Sequence, residues 1–236
     1  ETITTTIKEV IRLKPSQLQT MYVHYKPGTR KYMIKMVRNE PMLDFFDRKA
    51  VFNKASEILL KSGYERAGFE SYSLPNDPLA KSMKEKKAVY NSLGTQKGEA
   101  TNFIAVGSSA HGVLNDQYYF QNFYEQDLYR KALKEGKFPI YRGLKMKPDD
   151  VIRREVIRHI RTFFNIEFDF FDKKYPHKFK DYFQKELMNL KTMENDGLLK
   201  INENNIMLTP LGEHFSPQIA NVFDVYNDQE FYKRVI

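Results

Sequence analysis

Residues 60–80 read LKSGYERAGFESYSLPNDPLA, and this stretch decides the fold. Gly63 stands where a helix C-cap glycine belongs, so a helix ends just before it. Tyr64 to Tyr72 reads as a short strand, and Pro75, Asn76 and Asp77 turn the chain after it. Upstream, a helix from about Asp44 to Ser62 turns Phe52, Ala55, Leu59 and Leu60 toward a core. Before that, ETITTTIKEVIRLKP (residues 1–15) puts Ile3, Ile7, Val10 and Ile11 on one helical face, and Pro15 and Ser16 break it. Gln17 to Tyr25 then reads as a strand, with Leu18, Met21 and Val23 apolar. The order helix–strand–helix–strand argues for parallel α/β units. Two such strands do not make a stable parallel sheet, so partners are expected downstream or before Glu1. The opening segment reads as a helix joined in mid-course, and a truncation is expected there.

Downstream, residues 28–41 are basic and loop-like, and residues 78–100 are polar, with the run KSMKEKK at 81–87. NFIAVGSS (102–109) has a buried-strand pattern, QYYF (117–120) reads as a short strand, and a helix covers roughly Phe123 to Glu135. After Pro139 the character changes. Pro148, Asp149 and Asp150 suit a helix start, since proline fits the first turn and acids fit the positive end of the helix dipole. Ile152, Val156, Ile157 and Ile160 form its apolar stripe. A second helix is predicted over His177 to Asn195, then a hairpin from Leu198 to Thr209 turning at Asn204-Asn205, then a helix from about Ser216 to Tyr226. Helix, helix, hairpin, helix is a winged-helix-like order. The expected domains are therefore residues 1–140 and 141–236.

The 236 residues are enough for one large domain or two small ones. The net charge of +8 favours anionic partners: nucleic acid, phosphates or a polycarboxylate. The candidate recognition helix, FKDYFQKELMNLKTMENDG (179–197), has mixed charge rather than a basic face, so no nucleic acid partner is expected. There is no cysteine, so this chain forms no disulfide and offers no thiolate to a metal or cluster. That agrees with a reduced, cytoplasmic setting. No apolar run is long enough for a membrane span, and a monomer is expected.

His24 and His111 follow predicted strands, where parallel α/β folds hold ligands, and a histidine there can exchange a proton near neutral pH. A solvated or packed rim histidine fits each position as well. Glu70, at another strand end, suits either a ligand contact or a salt bridge. His159, His177 and His214 have no ligand spacing and read as structural. Ser108 and Ser109 near His111 lack an acid partner, and no phosphate loop, dinucleotide fingerprint or nucleophile elbow is present.

Together, these stretches resemble the oxygen-independent coproporphyrinogen III oxidases, a radical-SAM family. LKSGYERAGFESYSLPNDPLA resembles that family's helix, Gly-Tyr, strand and Pro-Asp-Asp turn, and VGSSAHG (106–112) resembles its Gly-x-Ser-Ala turn. IYRGLKMKPDDVIRREVI (140–157), DGLLKINENNIMLTPLGEHF (196–215), VFDVY (222–226) and FYKRVI (231–236) resemble its last domain. The resemblance covers essentially all 236 residues, through the order and spacing of motifs rather than any single one. It implies an α/β fold: the C-terminal portion of a radical-SAM partial (β/α) barrel followed by a helical, winged-helix-like cap. The family's C-x-x-x-C-x-x-C loop, which holds a [4Fe–4S] cluster, would lie upstream of Glu1, so this chain alone is expected to be inactive.

In that family the cluster cleaves S-adenosylmethionine, and the 5′-deoxyadenosyl radical starts oxidative decarboxylation of two propionates of coproporphyrinogen III, an acidic tetrapyrrole, in haem biosynthesis. Family contacts to S-adenosylmethionine carry over onto Tyr22, Val23 and His111. Contacts to a second S-adenosylmethionine carry over onto Tyr90 and Asn91. No motif marks the substrate carboxylate partners, and Arg142, Arg153 and Arg154 are the candidates. The chain departs from the family at Val23 and His111, and YNSLGT (90–95) stands where the family has Phe-Gln-Gly-Tyr-Thr-Thr. Its Ser-Ala-His-Gly turn is closer to haem-chaperone and methyltransferase relatives. Those functions, and a winged-helix binding module without catalysis, stand as alternatives.

Overall fold

The computed structural model describes residues 2–21, 33–36, 42–91, 94–98, 102–104 and 106–226. The first unit runs α1 (Thr2–Leu13), β1 (Gln17–Gln19), the single turn α2 (Met33–Met36), α3 (Phe45–Lys61), β2 (Glu65–Arg66) and β3 (Ser71–Ser73). Asp44 caps α3 by accepting from the Asp47 N–H, and Gly63 ends it at φ +88°. Ile7 of α1 meets Ala55 and Leu59 of α3 over Tyr64 and Tyr72. Leu60, expected in that core, is 46 % exposed, while Ser56 is buried. The helix turns about 100° per residue, so the inward side passes through Phe52, Ala55, Ser56 and Leu59.

The strands are antiparallel, in the order β1–β3–β2. This corrects the expected parallel pairing. β1 and β2 do run in the same direction on either side of α3, as a parallel unit would. However, the single strand expected over residues 64–72 is a hairpin that turns at Gly68 (φ +83°), and its return arm β3 lies between them.

Next come α4 (Pro78–Lys84), capped by Asp77 through the Leu79 N–H, and the hairpin β4 (Val89–Asn91) and β5 (Gly94–Gln96). A second sheet follows: β6 (His111–Leu114), β7 (Tyr118–Asn122), then α5 (Gln126–Lys134), then β8 (Ile140–Lys145), in the antiparallel order β6–β7–β8. The buried strand expected over residues 102–109 does not form. Ile104 and Val106 are exposed, Gly107 and Ser109 bend the chain at positive φ, and Phe103 makes a lone bridge to Val113. His111 therefore opens a strand instead of closing one. The expected domain boundary at residue 140 falls on the first residue of β8, which is the third strand of this sheet.

The last unit runs α6 (Pro148–Phe163), β9 (Asn165–Glu167), α7 (Phe168–Lys174), α8 (Phe179–Tyr182), α9 (Gln184–Asn195), β10 (Leu199–Ile201), β11 (Asn205–Leu208), α10 (Pro210–Glu213) and α11 (Ser216–Asn221). The expected hairpin is β10–β11. β9 adds to it in the order β10–β11–β9, and the order of elements is winged-helix-like. Asp149 and Asp150 start α6 as expected, and Asp150 accepts from the Lys147 N–H at 2.8 Å. The single helix expected over 177–195 is broken at Phe183. The core is largely aromatic: Phe168, Phe171, Phe179, Phe183 and Phe223 pack with Ile160, Leu190, Leu199 and Ile206. Gly212 is required there, because a Cβ would come within 1.6 Å of the Leu198 carbonyl oxygen. Among the described residues no helix is long and apolar enough to cross a membrane.

Candidate functional site

The pleat of β7 puts Tyr119 and Gln121 on one face of the second sheet and Tyr118 and Phe120 on the other. Register places Val113 and Leu144 beside Tyr119, and His111 and Arg142 beside Gln121. On the opposite face the Phe120 ring lies over Gly112, where a Cβ would come within 2.1 Å of it. Facing the first set is α6, whose Arg154, Ile157 and Arg158 share one side at helical spacing. Tyr90 and Asn91 of β4 complete the wall. Together these elements line an open cavity of about 560 Å³.

The hairpin β6–β7 turns through Asn115 and Asp116, both at positive φ (51° and 50°), with the Gln117 N–H donating to the Leu114 carbonyl at 3.1 Å. That is a type I′ turn, and Asn and Asp are among the residues that tolerate it. It aims Asp116 at α6. Arg154 grips the Asp116 carboxylate with both Nη atoms, at 2.9 and 2.7 Å, and also donates to its carbonyl, to Tyr119 Oη at 3.2 Å and to Met146 Sδ at 3.4 Å. Arg158 reaches the same carboxylate only at 3.4 and 3.5 Å, and Tyr119 Oη at 3.3 Å. Arg142 is exposed and donates from Nε to Gln121 Oε1 at 2.9 Å. Arg142, Arg154, Arg158 and His111 all line the cavity, and no Asp or Glu is among its described lining. The site therefore favours an anion.

Tyr90 is held by a separate network. Its hydroxyl donates to Glu70 Oε1 at 3.0 Å and accepts from Arg161 at 2.5 Å, and the Arg161 guanidinium lies 4.2 Å from its ring centre. Glu70 also accepts from Gln19 Nε2 at 2.9 Å. Burial, helped by the Glu70 carboxylate and opposed by Arg161, pushes the Tyr90 phenol up to about 12, so it stays protonated and donates.

The structure brings Tyr90, Asn91, His111, Arg142 and Arg154 to one cavity. Arg153 lies beside a smaller one of about 300 Å³, with Phe223 and Tyr226. Its guanidinium is engaged by Asp149 at 2.8 Å, Glu186 at 2.7 Å and the Phe223 carbonyl at 3.3 Å. Tyr22, Val23 and His24 lie outside the described residues. Arg158, Arg161, Asp116 and Tyr119 were missed. The spacing Arg154, Arg158, Arg161 on one predicted helix face was a readable signal for the arginines; nothing local marks Asp116 as their partner. His159 packs on Phe163 and Phe170, and His177 on Tyr182, as structural histidines do. No cluster of His, Cys, Asp and Glu among the described residues could hold a metal ion.

S-adenosylmethionine carries an adenine, a carboxylate and two cationic groups, an ammonium and a sulfonium. The Tyr90 ring, the Asn91 amide and the guanidiniums suit the first two. Among the described lining no carboxylate balances the cations, and three guanidiniums stand there with Asp116 already paired to two of them. The donor set therefore fits a carboxylate and does not fit the whole cofactor.

Residues 146–213 match the model of the HemN C-terminal domain. The oxygen-independent coproporphyrinogen III oxidase of Helicobacter pylori is 28% identical over 222 residues, 94% of this chain and 48% of the relative. That of Escherichia coli is 26% identical over 230 residues, 98% of this chain and 50% of the relative. The structure of coproporphyrinogen III oxidase (HemN) from Escherichia coli, a radical SAM enzyme, superposes with a TM-score of 0.84 at 26% identity, over 94% of this chain and 51% of that one. By sequence along nearly its whole length and by fold, this α/β chain is similar to the oxygen-independent coproporphyrinogen III oxidases, and it spans about half the length of those it matches.

Proposed function

We propose that the intact protein is a radical-SAM oxidoreductase that decarboxylates coproporphyrinogen III to protoporphyrinogen IX in haem biosynthesis, in the cytoplasm, and that this chain supplies the wall that receives the substrate. One observation carries the reading. Residues that correspond to the family's cofactor contacts (Tyr90, Asn91, His111) and candidate substrate arginines (Arg142, Arg154) meet in one basic cavity, in a chain related to those oxidases along its length.

S-adenosylmethionine, with a [4Fe–4S] cluster held outside this cysteine-free chain, would supply the hydrogen-abstracting radical. This chain's own part is binding and orientation. The guanidiniums not taken up by Asp116 hold propionates as charge-assisted, directional partners. Tyr90, fixed between Glu70 and Arg161, presents a rigid ring to the cavity. Positions matching the first cofactor contact, Tyr22 and Val23, follow β1. We put the unit boundary after β8, at about residue 146, a reading supported by the pairing of β8 with β7 and by the start of the family match.

The test is anaerobic reconstitution of the complete gene product with iron and sulfide. The expected outcome is a [4Fe–4S] cluster, reductive cleavage of S-adenosylmethionine and CO2 release from coproporphyrinogen III. A cluster with haem binding but no CO2 would favour the chaperone alternative, to which His111, an exposed imidazole on the cavity wall, lends itself. Methyl transfer without CO2 would favour the methyltransferase. Failure of any cluster to assemble would leave a binding module.

A further inference from the structure

We infer that the cavity between the β6–β8 sheet and α6 is a carboxylate-recognition site rather than a second S-adenosylmethionine site, and that Arg142 and Arg158 are the residues that reach its ligand. The proposal deepens the reading above and rests on it for the kind of carboxylate, a propionate-bearing tetrapyrrole.

The three arginines of the wall are not equivalent. A guanidinium has five N–H donors in a fixed fork. Arg154 turns both Nη atoms onto Asp116, with Nη1 shared also with Tyr119 and Met146, and its Nε is buried without a partner. It therefore holds the hairpin against α6 and positions the wall. Arg158 lies one helical turn on and meets Asp116 only at 3.4 and 3.5 Å, beyond the usual hydrogen-bond range. Arg154 holds both oxygens of that carboxylate at 2.9 and 2.7 Å, and Arg158 has the weaker share. Arg142 uses Nε on Gln121 and is exposed.

Arg142 comes from β8 and Arg158 from α6, so the two approach the cavity from opposite walls and can hold a ligand between them. The Tyr90 hydroxyl is already satisfied on both sides and Arg161 covers one face of its ring, which leaves the other face as the contact surface. A ligand with a carboxylate and a flat apolar body suits this lining. One bearing a sulfonium and an ammonium would set two more positive charges among the guanidiniums with no counter-charge in the described lining.

The test measures binding to the complete gene product of coproporphyrin III, the fluorescent oxidised form with the same propionates, of its tetramethyl ester, and of S-adenosylmethionine as competitor. Arg142→Gln and Arg158→Gln should each weaken coproporphyrin III by about tenfold to a hundredfold, the range for one charge-assisted hydrogen bond. Neither should change the ester's weak binding, and R158K should recover part of the loss. S-adenosylmethionine should not displace the porphyrin. Wild-type affinity in both Gln variants, competition by S-adenosylmethionine, or no porphyrin binding at all would each overturn the proposal. Arg142 is exposed, so R142Q keeps the test decisive if R158Q folds poorly. If CO2 release fails while the arginine dependence holds, the enzyme reading falls and the site stands. If CO2 release succeeds while the variants bind normally, the site falls and the enzyme stands.

Discussion

Arg153 and Arg154 are neighbours in sequence and meet different partners, because one step along α6 turns a side chain by about 100°. Arg154 faces the sheet and its cavity. Arg153 faces the cap, where it joins Asp149 and Glu186 beside the ring of Phe183, with 15 % of its side chain exposed and 9 % of that of Glu186. Those carboxylate hydrogen bonds outweigh burial and raise the Arg153 pKa, so it stays charged. Removing one partner of a buried pair strands the other. Arg153→Met should therefore lower stability by about 3 kcal/mol or more in urea denaturation, while the folded fraction binds coproporphyrin III like the wild type. A loss of affinity with stability intact would make Arg153 a ligand contact instead. The sequence marked this pair of arginines as candidates. Which partners each one meets depends on how the helix is rotated in the fold, and no local pattern reports that.

At the scale of the element, the hairpin β6–β7 shows what local chemistry can and cannot specify. Asn115-Asp116 suits a turn with positive φ at both positions, and QYYF was legible as a strand. β8 was not legible, since all six of its residues are exposed and no buried face shows in its pattern. Among the described residues of 102–109 the expected strand is reduced to one bridge, Phe103 to Val113 at the edge of β6, and Ile104 and Val106 stay exposed. Asp116→Asn keeps a residue that the turn accepts but removes the charge that holds it to Arg154 and Arg158. Stability should fall by about 1–3 kcal/mol, and amide exchange should quicken at Gln117 and Met146, whose N–H groups donate within this turn and to it. Unchanged exchange there would mean that the hairpin stays in place without the ion pair.

At the scale of the molecule, the first and last units meet through a compact set of contacts. Arg66 pairs with Glu213 at 2.9 Å and lies 4.8 Å from the centre of the Phe164 ring. Lys49 donates to the His214 carbonyl and lies 4.7 Å from the Phe215 ring centre. Gly68 lets the β2–β3 turn approach the end of α6, where a Cβ would lie 2.9 Å from the Arg161 carbonyl oxygen. This junction should respond to pH. Burial, with Lys49 and Arg66 nearby, lowers His214 to about 4 from 6.5, so between those values the unfolded chain takes up a proton first and stability falls with falling pH. Burial and Arg66 lower Lys49 to about 8 from 10.5, so between pH 8 and 10.5 the folded chain loses its proton first and stability rises with pH. Glu213, raised by burial, works against the acid-side trend. The useful measurement is therefore a difference: His214→Gln should show a shallower loss of stability than the wild type from pH 6.5 to 4. Parallel curves would exclude His214 as a source of the trend.

The positions of α1, α3 and α6, most apolar faces, the cap's hairpin and the family resemblance came from the sequence alone, because periodicity, capping residues and turn chemistry act over a few residues. The sandwiching of β3 between β1 and β2, the joining of β8 to β7, and the gathering of Tyr90, His111, Arg142 and Arg158 around one cavity were decided only by the tertiary structure. These residues are drawn from four elements, and strand partners and helix rotation follow from packing between segments far apart in the chain.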